Sequence, residues 1–202
     1  MKKTRAVILV AVVISFLFMT VWLAGAGEPT NQIKETTDKI LSIVKDPALK
    51  APEREPERRR LIRQAVDERF DWEEMAKRTL ARHWRKRTVK EKKEFINLFG
   101  KLLERTYMDK VEGYSGEKVV YVGDRIEGKY AVVKIKILTP QDTEIPVLYR
   151  MKKKGDKWLV YDISIEGVSL INNYRTQFNS ILVRSSFKKL IEKLKAKVNK
   201  TQ

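Results

Sequence analysis

Residues 117–165, "EKVVYVGDRIEGKYAVVKIKILTPQDTEIPVLYRMKKKGDKWLVYDISI", decide the fold. Four runs, 117–126, 129–138, 144–152 and 157–165, are separated by turn residues such as Gly123-Asp124, Gly128, Pro140 and Gly155-Asp156. In the second run Ala131, Val133, Ile135 and Ile137 share a face opposite Lys134 and Lys136. In the third, Ile145, Val147, Tyr149 and Met151 oppose Arg150 and Lys152; in the fourth, Leu159, Tyr161, Ile163 and Ile165 oppose Trp158, Val160, Asp162 and Ser164. Short turns between alternating strands predict a four-stranded antiparallel meander over 117–166, with one apolar face that needs a cover.

On either side of the meander the period becomes helical. Ile33, Ile40, Leu41 and Val44 fit one face of a helix over 31–44, and a proline-marked charged linker follows at 46–56. A second helix carries Leu61, Ile62, Ala65, Val66 and Phe70. A third starts at an Asp71 cap with Glu74 as its partner and turns Trp72, Met75, Ala76, Leu80 and Trp84 inward. Thr88 and Glu91 repeat the device before a fourth helix whose stripe is Phe95, Leu98, Phe99, Leu102, Leu103 and Tyr107. Two more helices are expected at 168–183 and 186–198. Residues 168–183 carry a single charge, Arg175, among four side-chain amides and an apolar stripe, which suits partial burial or a pocket mouth. The expected class is α+β: helices over 31–110 and 168–198 pack on one face of a curved sheet.

The first 26 residues stand apart. Lys2, Lys3 and Arg5 precede an uncharged apolar run from Ala6 to Leu23, and "AGA" follows at 24–26. This is the pattern of a secretory signal cleaved after Ala26, leaving one domain over 27–202. Its loss takes the net charge from +17 to +14, because the segment holds three cations and no acid. A cysteine-free chain exported in this way reads as a periplasmic protein held by its core. Export also argues against nucleic acid as the partner of so basic a chain and favours anionic lipid or acidic proteins.

Chemistry is sparse. With no cysteine and one histidine no metal site is expected, and no glycine-rich phosphate loop is present. His83 lies among Arg82, Arg85, Lys86 and Arg87 and reads as a structural residue at a helix end. Tyr161 and Asp162 are adjacent on a strand, so they point to opposite faces and cannot serve one pocket. No catalytic residue or cofactor is assigned. The remaining feature is apolar surface, which fits either a packed core or a cavity.

Three stretches, "FDWEEMAKRTLARHWRKRTVKEKKEFINLFGKLLERTY" at 70–107, "IPVLYRM" at 145–151 and "KWLVYDISIEGVSLINNYRTQFNSIL" at 157–182, resemble the MlaC/toluene-tolerance family of periplasmic phospholipid-binding proteins. The resemblance implies a non-enzymatic carrier of diacyl phospholipid, with acyl chains in a cavity between helices and sheet. Implied partners are an inner-membrane Mla ABC transporter complex, through an MlaD-like ring, and an outer-membrane MlaA-like lipoprotein–porin complex. At about 0.8 kcal/mol per CH₂, two chains of roughly sixteen carbons represent on the order of 25 kcal/mol of transfer cost into water, so a carrier needs apolar lining rather than reactive groups. The expected lining is Ile135, Ile137, Val147, Tyr149, Tyr161 and Ile163 from the sheet, with Phe95, Phe99, Leu102, Leu170, Tyr174 and Phe178 from helices. Arg82, Arg85, Lys86 and Arg87 are expected either to dock acidic partners or phosphate headgroups, or to form a solvated basic helix end. A binding protein for another apolar ligand, or a small cone-fold enzyme, are the alternatives.

Overall fold

The computed structural model describes residues 27–199. The expected signal segment, 1–26, lies outside the described residues. Helix α1 (Glu28–Lys45) is followed by two 3₁₀ turns, Pro47–Leu49 and Pro52–Arg54, then α2 (Glu55–Asp67), α3 (Trp72–Leu80), a 3₁₀ segment (Ala81–Lys86) and α4 (Val89–Glu112). Strands β1 (Lys118–Glu127), β2 (Tyr130–Leu138), β3 (Glu144–Lys154), β4 (Lys157–Ile165) and β5 (Val168–Ser169) precede α5 (Leu170–Arg184) and α6 (Phe187–Asn199). Both expected N-caps form, but only the second completes its capping box, because the Glu74 carboxylate turns to Arg78 and Lys152. The Asp71 carboxylate accepts the Glu74 N–H at 3.1 Å. Thr88 and Glu91 exchange bonds of 3.2 and 2.8 Å in a reciprocal capping box, satisfying two N–H groups that the first turn leaves orphaned.

Some boundaries differ from the sequence reading. Pro56 lies inside the first turn of α2 rather than in a linker, a position where its missing N–H costs nothing. Ala81, at φ 47°, stops α3 at Leu80, so Trp84 is buried from the 3₁₀ segment. Phe70 is extended, and its segment bridges in parallel to Val160.

The sheet is antiparallel in the order β1-β2-β3-β4-β5, one strand more than expected. The additional strand is Val168–Ser169, which the helical pattern had assigned to the following helix. Glu166 and Gly167, at φ 49° and 82°, make the two-residue turn that folds it back on β4. Two irregularities bend the sheet. One lies inside β1 between Tyr121 and Gly123, where a turn was expected; Gly123 takes φ 132° there. The other lies between β3 and β4, where Arg150 pairs with Asp162 and Met151 with Val160, leaving Tyr161 as the extra residue. That slip moves Trp158 and Val160 onto the face of Met151, so both are buried, while Ile163 and Ile165 stay level with Tyr149 and Val147. The alternation of β4 therefore changes phase midway.

Packing divides into three clusters. The largest joins α3, α4, α5 and α6 through Met75, Leu80, Phe95, Phe99, Phe178 and Leu190. The second is the inner face of the sheet with Ile33 of α1 over it. The third is small: Val44, Ile62 and Met108 join α1, α2 and α4. Asp124 of β1 fixes α1 over the sheet by accepting from the N–H and hydroxyl of Thr30, at 3.0 and 2.7 Å. A Cβ at position 27 would stand 2.5 Å from the same carboxylate and would have to displace it.

Candidate apolar cavity

The three clusters do not close on one another. At their junction lies a cavity of about 250 Å³. Voids larger than a water molecule are few in packed interiors, and about 150 Å³ of Leu, Ile and Phe lining is enough to hold benzene. One wall is α1, with Ile33, Thr36, Thr37 and Ile40. A second is α2 and the segment after it, with Ile62, Arg63, Val66, Arg69, Phe70 and Trp72. The C-terminal half of α4 adds Leu103, Glu104, Tyr107, Met108 and Val111. The sheet adds Ile137, Val147, Tyr149, Ile163 and Ile165, and Leu170 opens α5.

Polar groups are few and their states differ. Burial pushes the Tyr149 phenol up to about 12, with the nearby Tyr121 adding to the rise, so it is neutral at physiological pH. Tyr149 keeps some accessible area, but it lines the cavity, and that area borders the cavity rather than bulk water. The Tyr121 hydroxyl is buried beside Thr37 without a well-formed hydrogen bond, and burial raises it as well. Arg63 is neutralised: Nη1 meets Glu104 and Nε meets Asp67, each at 2.7 Å, with the guanidinium 4.9 Å over the Trp72 ring. Among the described residues Arg69 bonds only neutral acceptors. Its Nε donates to Thr36 Oγ1 at 2.9 Å and its Nη1 to the Trp158 carbonyl at 3.0 Å and to Gln32 Oε1.

Of the twelve side chains expected to line a cavity, Ile137, Val147, Tyr149, Ile163 and Leu170 do so. The other seven do not. Phe95, Phe99, Tyr174 and Phe178 stack into one another with ring centroids 5.4–6.0 Å apart, inside the helical cluster. Leu102 is buried in that same cluster and Ile135 in the sheet cluster. Tyr161, displaced by the β4 irregularity, lies under Arg78, 3.9 Å from guanidinium to ring centroid. The sequence reading missed the α1 wall, the α2 wall and the far end of α4. For the far end of α4 the signal lies in its stripe, which continues past Tyr107 to Met108 and Val111.

The expected docking residues also separate. Arg82, Arg85 and Lys86 are exposed, and none has an ion pair among the described residues. Arg87 is half-buried, pairs with Glu91 at 3.2 Å and covers the Phe187 ring at 4.6 Å, which removes it from the patch. His83 Nε2 lies 3.1 Å from the Asn179 amide oxygen, which also accepts from Arg82 at 3.3 Å. Nearby, Leu80, Arg82, Arg175, Thr176 and Asn179 border a second, more polar cleft of about 430 Å³. The junction before α5 is held by Ser169 and Asp162: Ser169 Oγ accepts the Asn172 backbone N–H at 3.1 Å and donates to Asp162 at 2.7 Å.

Among the described residues no cluster of acids and histidine is arranged to hold a metal, and no helix is long and apolar enough to cross a membrane. The chain is similar to the intermembrane phospholipid transport system binding protein MlaC of Haemophilus influenzae, 23% identical over 192 residues, which cover 93% of this chain and 89% of that one. Its fold matches a phospholipid-binding protein from Ralstonia solanacearum, solved in complex with a phospholipid, with a TM-score of 0.75 and 23% identity over 85% of this chain and 97% of that one. The model of the MlaC protein family matches residues 34–196, and the chain belongs to that family.

Proposed function

We propose that this protein is a periplasmic phospholipid carrier that binds acyl chains in the cavity between α1, α2, α4 and the sheet. The observation that supports this most is the cavity, about 250 Å³ with an almost wholly apolar lining drawn from all three clusters. A hydrocarbon chain there exchanges water for Ile, Val, Leu and aromatic side chains, and the neutral Tyr149 phenol does not oppose it. The family assignment and the phospholipid bound by the Ralstonia relative point the same way. Pockets that hold drug-sized ligands span about 300–1,000 Å³, so a two-chain lipid requires these walls to move apart.

In this reading residues 1–26 direct export and are removed, and 27–202 form the carrier. Lipid passes between an inner-membrane Mla ABC transporter with an MlaD-like ring and an outer-membrane MlaA-like lipoprotein–porin complex. Arg82, Arg85 and Lys86 supply a basic docking patch, and ATP is consumed by the transporter rather than by this chain.

Native mass spectrometry of the protein purified from periplasm, followed by extraction and lipid identification, tests the reading. A stoichiometric diacyl phospholipid released on denaturation is the expected result. A folded protein that carries no lipid and takes none from phospholipid vesicles overturns it.

A further inference from the structure

Arg69 is the one guanidinium on the cavity wall without a carboxylate partner among the described residues. Three contacts fix it: Nε on Thr36 of α1, and Nη1 on Gln32 and on the Trp158 carbonyl of β4. Gln32 is in turn held by the Trp158 N–H at 2.9 Å. Nη2 has no hydrogen-bond partner among the described residues. The acids nearest in charge are Glu35, which is exposed, and Glu68, which Lys39 holds at 2.7 and 2.8 Å; neither forms an ion pair with Arg69. Arg63 and Glu104 on the same wall cancel each other. Arg69 is therefore the cation on this wall that no carboxylate meets directly among the described residues, a planar donor positioned by its own bonds before any ligand arrives.

Resting on the phospholipid reading above, we infer that Arg69 Nη2 binds the phosphate of the lipid whose chains fill the cavity, making it the residue that selects phospholipid over phosphate-free diacyl lipid. A charge-assisted bond between guanidinium and phosphate is among the stronger polar contacts available, and partial exclusion of water strengthens it.

The test uses the mature protein with three probes: dioleoyl phosphatidylglycerol, dioleoylglycerol and inorganic phosphate. Arg69→Gln is expected to weaken phosphatidylglycerol binding about tenfold and leave dioleoylglycerol binding unchanged. Thr36→Ala and Gln32→Ala loosen the same anchorage but keep the cation, and are expected to preserve the preference for phospholipid. Unchanged phosphatidylglycerol affinity in Arg69→Gln overturns the inference, as does an equal loss for both lipids or an equal loss in the two anchorage variants. Displacement of lipid by inorganic phosphate alone would make this a free-anion site and also overturn it. Wild-type protein that binds neither lipid instead overturns the phospholipid reading itself. Should Arg69→Gln fail to fold, Arg69→Met is the second variant, and retention of the wild-type lipid preference there overturns the inference.

Discussion

The carboxylate of Asp162 accepts the backbone N–H of Ile171 at 3.1 Å and so carries the start of α5 on strand β4. Its second oxygen accepts the Ser169 hydroxyl at 2.7 Å and faces Arg150 Nη1 at 3.2 Å. Asp162 is buried, so each bond replaces a water that cannot reach it. Leu170, the first residue of α5 and part of the cavity wall, is placed by this joint. Asp162→Ala should lower unfolding free energy by about 2–4 kcal/mol in urea, because it leaves the Ile171 N–H and Arg150 without their acceptor. Asp162→Asn keeps one acceptor oxygen and should cost less. Equal stability of Asp162→Ala and wild type would show that the joint is slack.

The division of apolar residues between core and cavity gives opposite outcomes for two substitutions. Phe99→Ala removes a fully buried ring packed against Phe95, Tyr174 and Phe178 and should cost about 3–5 kcal/mol. Ile163→Phe adds volume where the wall borders open space, and should leave the melting temperature within a few degrees of wild type while lowering bound lipid per protein. The readouts are calorimetry and extracted lipid.

Stability should fall in alkali through Tyr149. Its folded-state value of about 12 lies above the ordinary 10.0, so below pH 10 both folded and unfolded forms hold the proton and nothing changes. Between pH 10 and 12 the unfolded chain ionises first and folding is penalised, by up to about 2 kcal/mol once the partial accessibility of the side chain is allowed for. Tyr149→Phe should flatten that part of the pH profile, followed by circular dichroism with phenolate absorbance alongside. Tyr121 and Tyr107 are raised in the same direction, so a residual slope is expected in the variant.

Charge reversal at the basic segment should affect transfer and not loading. Arg82→Glu with Lys86→Glu is expected to slow lipid delivery to acceptor membranes carrying the partner complexes, with lipid content and melting temperature close to wild type. Arg87 is left intact because it pairs with Glu91, whose other carboxylate oxygen accepts the Thr88 N–H and caps the start of α4. Undiminished transfer at low salt would remove this segment from the docking surface.

Gly27→Ala should release the start of α1. The new methyl would stand 2.5–2.6 Å from both Asp124 carboxylate oxygens, one of which, Oδ2, accepts both bonds from Thr30. The carboxylate must swing away, and a loss of about 1–2 kcal/mol is expected in thermal unfolding, with faster hydrogen exchange along α1.

Sequence periodicity carried the fold much further than the site. Alternation along β2 and β3 and the helical stripes of α3 and α4 correspond to observed faces, because burial selects residue type directly. The phase change at Tyr161 had no such mark, since no glycine or proline accompanies the slip between Arg150 and Met151. Cavity and core are harder to separate for a related reason. Phe95, Phe99 and Leu102 lie on the same α4 stripe as Leu103 and Tyr107, and all are chosen for being apolar. The stripe reports which side is dry, but not whether protein or something else is packed against it. Polar side chains such as Thr36 and Arg69 do break the apolar pattern near the wall, yet only their placement in space distinguishes them from ordinary surface residues.

The separation of the interior into three clusters has a mechanical consequence. Each body keeps most of its own contacts when the surfaces between them slide, so admitting a long flexible guest strains only the joints where α1 and α2 lean on their neighbours. The work of loading is then set by a few parted side chains rather than by dissolving a folded interior. If the chain carries lipid as proposed, its cargo should exchange without global unfolding, and hydrogen exchange along α4 and α6 should stay slow while lipid loads.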